Sequence, residues 1–212
     1  MRVVCLASGR GSNFQALLEA QRRGRLGTAR IVALGVNRPG CGALERAESN
    51  GVPHFVVDHR EHEGRASFEE ALCAHIKGFQ ADLVVLAGFM RILTDTFLEG
   101  VGVPVVNLHP ALLPAFPGTS GIEDAFAAKV RLSGCSTHLV TLAVDEGPIL
   151  MQGLVPIYPA DQLADFKERM HAMEHRLLPA TVEAMASGHL QCTSEGLVAA
   201  DHFQPFLLPD TR

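Results

Sequence analysis

Short β-rich apolar runs alternate with amphipathic segments from the second residue onward, and no other feature constrains the fold as strongly. Arg2 to Ala7 reads as a buried strand, followed by a loop and a helix through about Arg22. Ile31 to Val36 is a second strand, with a helix over Ala43 to Asn50. His54 to Val57 predicts a short third strand, Ala66 to Phe79 a helix, and Asp82 to Ala87 a central strand buried on both faces. Strands that alternate with helices pack as a parallel sheet covered on both sides. The expected class is α/β, a mostly parallel, doubly wound (Rossmann-like) sheet with helices on both faces.

The second half of the chain changes character. Val103 to Leu108 is another buried strand, ending in a proline-rich connection from Pro110 through Gly118. A helix is expected over about Ile122 to Leu132. Ser136 to Ala143 and Ile149 to Ile157 then bracket Val144-Asp145-Glu146-Gly147-Pro148, which predicts an antiparallel hairpin. A long helix covers about Leu163 to Ser187, and the tail beyond Gly188 is irregular, with room for two short strands. No repeat or linker interrupts the 212 residues, so a single domain is expected. Within it, residues 1–100 read as one half, 101–190 as the other, and 191–212 as an irregular tail.

Composition narrows the function classes. The chain is 47% hydrophobic and 19% charged with a net charge of −5. That excludes disorder and gives no broad basic field for nucleic acid or anionic membrane. Its five cysteines are scattered and form no CxxC pair, so neither a disulfide framework nor a zinc site is expected. No run approaches the roughly 20 apolar residues of a membrane span. The apolar start is too short for a signal peptide, and a cytoplasmic location follows as the expectation.

Two places concentrate chemistry-bearing residues. Ser8-Gly9-Arg10-Gly11-Ser12-Asn13 joins the first strand to the first helix, where backbone amides and the helix dipole favour an anion. Ser12 or Asn13 can cap that helix. The loop lacks the Gly-Lys-Ser/Thr of a P-loop and is a poor dinucleotide fingerprint. A phosphate cradle and a plain capped turn both fit it. The second place is Asn107-Leu108-His109-Pro110, at a strand's carboxyl end, where ligands collect in open α/β sheets. A strand period of two puts Asn107 and His109 on one face. An amide donor and an imidazole there could serve acyl chemistry, or the histidine could simply cap the strand end. Asp145, in the hairpin turn, could be conformational or could orient His109.

Taken together, Ser8–Asn13, Leu86-Ala87-Gly88-Phe89-Met90-Arg91-Ile92-Leu93, Asn107–Pro114, Gly134-Cys135-Ser136-Thr137-His138 and Asp145–Gln152 resemble the folate-dependent formyltransferases. The resemblance runs from residue 2 to about residue 190. It implies that 10-formyltetrahydrofolate donates a formyl group to the primary amine of glycinamide ribonucleotide, in purine biosynthesis, without a metal. It implies that Asn107 stabilises the oxyanion, His109 donates a proton, and Asp145 favours the protonated histidine. Gly11, Ser12 and Asn13 match the phosphate site, and Glu174 a carboxylate that holds the amine. Met90, Arg91, Ile92 and Leu93 match one wall of the folate pocket. Thr141, Leu142, Ala143, Val144 and Asp145 match the other, and Arg65 an arginine near the anionic groups. Ser136 and His138 match neighbours of the site, and Leu113-Pro114 the place of a cis peptide.

Three departures touch substrate contacts. Ala111 stands where serine is usual, Thr119-Ser120-Gly121 replaces a segment often containing histidine, and His171 replaces a glutamine beside the substrate. Among relatives of like chemistry, methionyl-tRNA formyltransferase carries a basic C-terminal domain and formyltetrahydrofolate deformylase an N-terminal regulatory one, for which this chain has no expected room. Formyltetrahydrofolate deformylase or another folate-dependent formyltransferase, such as a sugar-nucleotide enzyme, remains the alternative, beside an idle nucleotide-binding module of the same fold. The expected partners are small-molecule substrates rather than nucleic acid or membrane, and the expected state is monomer or homodimer.

Overall fold

In a computed structural model of the protein, residues 1–193 and 196–209 are described. The chain forms two compact units, Met1–Val106 and Asn107–Arg212. In the first, β1 (Arg2–Ala7), β2 (Arg30–Val36), β3 (His54–Val56) and β4 (Leu83–Leu86) alternate with α1 (Ser12–Arg22), α2 (Gly42–Ser49), α3 (Arg65–Gly78) and α4 (Asp95–Val101). The four strands stand in the order β4-β1-β2-β3, and every pair is parallel. Val3 to Ala7 and Leu83 to Val85 have no solvent exposure. This is why these strands read as unbroken apolar runs rather than as alternating ones.

The order itself marks a site. After β1 the chain winds outward through β2 and β3, then returns to place β4 on the other side of β1. The connections at the carboxyl ends of β1 and β4 therefore depart in opposite directions and leave a crevice, the usual place for a ligand in such sheets. Those two connections are the glycine loop and the Gly88–Leu93 segment.

In the second unit, β5 (Val105–His109), which starts two residues before the boundary, is followed by α5 (Gly121–Ala127), β6 (Leu132–Leu139), β7 (Ile149–Pro156) and α6 (Leu163–Ala186). The strand order is β5-β6-β7-β10, with β10 (Phe206–Leu207) parallel to β7. β6 and β7 form the expected antiparallel hairpin. α6 lies on this hairpin, burying Phe166, Met170, Leu177, Leu178 and Val182. The Thr137 and Thr181 hydroxyls meet at 2.8 Å across that interface, and the Thr181 hydroxyl also donates to the Leu177 carbonyl. A separate antiparallel pair, β8 (Leu190–Thr193) and β9 (Gly196–Ala199), follows.

α5 and β6 depart from the boundaries read from the sequence. The helix expected to reach Leu132 stops at Ala127, because Lys129 adopts φ 55°, a left-handed conformation that ends a helix. β6 then starts at Leu132 rather than Ser136 and ends at Leu139, so Val140 to Ala143 lie in the hairpin connection rather than in the strand. Among the described residues no helix is long and apolar enough to cross a membrane.

Candidate functional site

The second unit brings Asn107, His109 and Asp145 together. His109, at the carboxyl end of β5, is buried; its Nδ1 lies 3.3 Å from Asp145 Oδ2 and its Nε2 2.8 Å from the Phe116 carbonyl oxygen. Both neighbours are acceptors and neither has a hydrogen to give. A neutral ring can donate to only one of them, whereas a doubly protonated ring donates to both. Asp145 reaches it from the hairpin connection through a left-handed backbone, φ 58°, which aspartate tolerates better than most residues. The same carboxylate accepts the Gly118 amide at 2.9 Å.

A second histidine completes the cluster. His138 Nδ1 faces the Leu139 carbonyl at 3.0 Å, so that nitrogen carries a hydrogen. Its Nε2 lies 3.1 Å from Asn107 Nδ2 and 3.5 Å from Asp145 Oδ1. An amide nitrogen only donates, so His138 Nε2 accepts. Burial pushes the His138 pKa down, outweighing the pull of Asp145 in the other direction, and keeps this ring neutral. One carboxylate is thus flanked by two imidazoles, His109 at 3.3 Å and His138 at 3.5 Å. Asn107 spends one of its two amide hydrogens on His138 and keeps the other.

The lowered His138 pKa makes a stability prediction. As pH falls, the unfolded chain takes up this proton near the ordinary value of 6.5, before the folded chain does. The stability contributed by neutral His138 is therefore complete above that value and is lost progressively as pH falls from it through the lowered folded one. His138→Gln should lose less stability than the wild type between about pH 7.5 and about pH 5.5, measured by urea unfolding. Equal losses would contradict the assignment.

The hairpin connection presents apolar surface beside these polar groups. Leu142 is 64% and Val144 50% exposed, and the Thr141 hydroxyl bonds the Ala143 carbonyl at 3.2 Å. On α6, Glu174 is buried, which sets it apart from a solvated helix-face glutamate. His171 Nδ1 lies 3.0 Å from its Oε2. The Leu113-Pro114 peptide is cis, as the resemblance implied.

In the first unit, the glycine loop and the 88–93 segment meet at Ser8. Its amide donates to the Gly88 carbonyl at 3.0 Å, its hydroxyl donates to Asn37 Oδ1 at 2.6 Å, and the same oxygen accepts the Met90 amide at 2.8 Å. Ser12 does not cap α1, nor does Asn13. The cap position is Gly11, with no side-chain cap hydrogen bond, and Ser12 is the first helical residue. Gly11 has φ 72°, and an added Cβ would stand 2.8 Å from Ala43, so both backbone and packing require glycine. Met90 and Ile92 are 69% and 61% exposed, Arg91 is exposed, and Leu93 is buried. Just beyond, the buried Glu69 carboxylate takes both the amide and the hydroxyl of Thr94. Arg65 opens α3 and is exposed.

Residues 1–182 match the formyl transferase family. The chain belongs to the formyl transferase family. It is 45% identical over 188 residues to phosphoribosylglycinamide formyltransferase of Mycobacterium tuberculosis, covering 88% of this chain and 85% of that one. It is 36% identical over 197 residues to the human trifunctional purine biosynthetic protein adenosine-3, covering 93% of this chain but 19% of that protein. The chain thus spans about a fifth of the trifunctional proteins it matches. The crystal structure of glycinamide ribonucleotide transformylase 1 from Symbiobacterium toebii superimposes with a TM-score of 0.89 at 36% identity, covering 95% of this chain and 94% of that one. The α/β, Rossmann-like fold of this formyl transferase is therefore the fold read from the sequence. Sequence reasoning did not see that Asn107 hands a hydrogen to His138, nor that Ser8 ties the glycine loop to the 88–93 segment. Their partners lie far along the chain, and only folding reveals them.

Proposed function

We propose that this formyl transferase moves the formyl group of 10-formyltetrahydrofolate to the primary amine of glycinamide ribonucleotide. The observation that carries the reading is the buried His109 ring, with Nδ1 3.3 Å from the Asp145 carboxylate and Nε2 2.8 Å from a carbonyl oxygen, an arrangement that suits a proton donor to a carbonyl. Here that oxygen belongs to Phe116; in the reaction the formyl oxygen takes its place. The amine nitrogen bonds to the formyl carbon, and the oxygen gains negative charge. The free Asn107 hydrogen and His109 Nε2–H stabilise that charge. The bond from carbon to folate nitrogen then breaks. That nitrogen takes a proton from His109, and the amine's surplus proton leaves to restore it.

The other roles follow from residue chemistry. Met90 and Ile92 in one segment, and Leu142 and Val144 in another, offer exposed apolar surface suited to a flat pterin, while Arg91, Leu93, Thr141 and Ala143 complete those segments. Arg65 suits the anionic groups of the folate. Gly11, Ser12 and Asn13 suit the nucleotide phosphate, because they open α1 at the carboxyl end of β1, where the helix dipole favours an anion. Glu174, with His171 beside it, suits the substrate amine.

The test is the absorbance change of 10-formyltetrahydrofolate with and without glycinamide ribonucleotide. Consumption only when the amine is present is the expected result. Equal consumption without it would replace transfer by hydrolysis.

A further inference from the structure

Alternate residues of β6, Gly134, Ser136 and His138, share one face of the strand. Each meets β5 or the chain that leaves it. A methyl group on Gly134 would collide with the Gly153 carbonyl of β7 and stand 2.8 Å from Leu112 Cδ2. The fully buried Ser136 hydroxyl donates to the Ala111 carbonyl at 2.7 Å and accepts the Leu113 amide at 3.0 Å. His138 takes its hydrogen bond from Asn107. Directly opposite Ser136 on β7 stands Gln152, whose Nε2 donates to the Leu113 carbonyl and to Ser136 Oγ, both at 3.0 Å.

The hydrogen count closes. Ser136 Oγ gives its one hydrogen and fills both lone pairs, and Gln152 Nε2 uses both of its hydrogens. An apolar pair would leave the Leu113 amide and the Leu113 and Ala111 carbonyls without these side-chain partners, so the polar pair ties down this backbone. Ala111 to Leu113 follow His109 by two positions and precede Phe116 and Gly118, whose backbone groups meet His109 Nε2 and Asp145. A shift of the 111–113 backbone moves both ends of the catalytic arrangement at once.

We propose that Gln152, acting through Ser136, is a positioning residue for formyl transfer, fixing the 111–113 backbone so that His109 and Asn107 meet the formyl oxygen together. The assignment rests on the formyl-transfer reading above. A Gln152→Glu variant keeps shape but swaps both donors for a carboxylate that repels the Leu113 carbonyl and draws the Ser136 hydroxyl off Ala111. Gln152→Met keeps volume and removes the donors without adding charge.

The experiment is steady-state kinetics of the full chain and both variants, with folded protein counted by circular dichroism. Expected is a fall in kcat per folded molecule of about tenfold to 10²-fold, with KM for both substrates within about twofold, since a misplacement near 1 Å costs on that order. Wild-type kcat in both variants overturns the proposal. So does a loss that tracks unfolding alone, including failure of both variants to fold, because the pair would then hold the fold rather than the site. A wild-type chain without formyl transfer fails the underlying reading itself, which separates the two failures.

Discussion

His109→Ala is expected to lower kcat/KM for formyl transfer by about 10²- to 10⁴-fold, the range of a positioned general acid. In the proposed reaction the protonated ring serves twice: it stabilises the developing oxyanion and then supplies the leaving nitrogen's proton. Alanine removes both contributions. It also leaves Asp145 with the Gly118 amide and the more distant His138, so a half-buried carboxylate loses its closest imidazole partner. Some stability goes with it, on the order of 1–3 kcal/mol for a buried group losing its partner. Activity must therefore be referred to folded protein. Turnover within about threefold of wild type would remove His109 from the chemistry, whatever the geometry around it.

The parts of this fold that were legible in the sequence are those fixed by local pattern. β1, β2 and α1 lie within a residue of expectation because apolar runs and a glycine turn define them without help. α4 escaped because Asp95–Val101 is barely two turns, closed at Gly102 by a left-handed cap, too short for helical periodicity to register. The site divides the same way. Asn107 and His109 share a strand face, and period two reveals that. Gln152 looks like any polar residue in an alternating edge-side strand, since the carbonyl it holds is 39 residues away. Glu174 looks solvated in sequence and is buried in fact. Residues that act on a distant backbone leave no local signature, because nothing in their own neighbourhood needs them.

Asn107→Ala should cost about 10²- to 10³-fold in kcat, the usual loss for one oxyanion donor, with little change in KM because the amide meets charge that exists only in the transition state. Asn107→Asp should be at least as damaging, for a different reason. A carboxylate there has no hydrogen for the oxyanion and none for His138 Nε2, which would then face the introduced carboxylate and Asp145 at once. The ring would be driven to protonate and would compete with His109 for the Asp145 carboxylate. A side chain of nearly the same shape would thus undo the neutral state of His138. Comparing the two variants separates the amide's donor role from its part in keeping His138 neutral: if Asn107→Asp retained near-wild-type kcat, neither role could be correct.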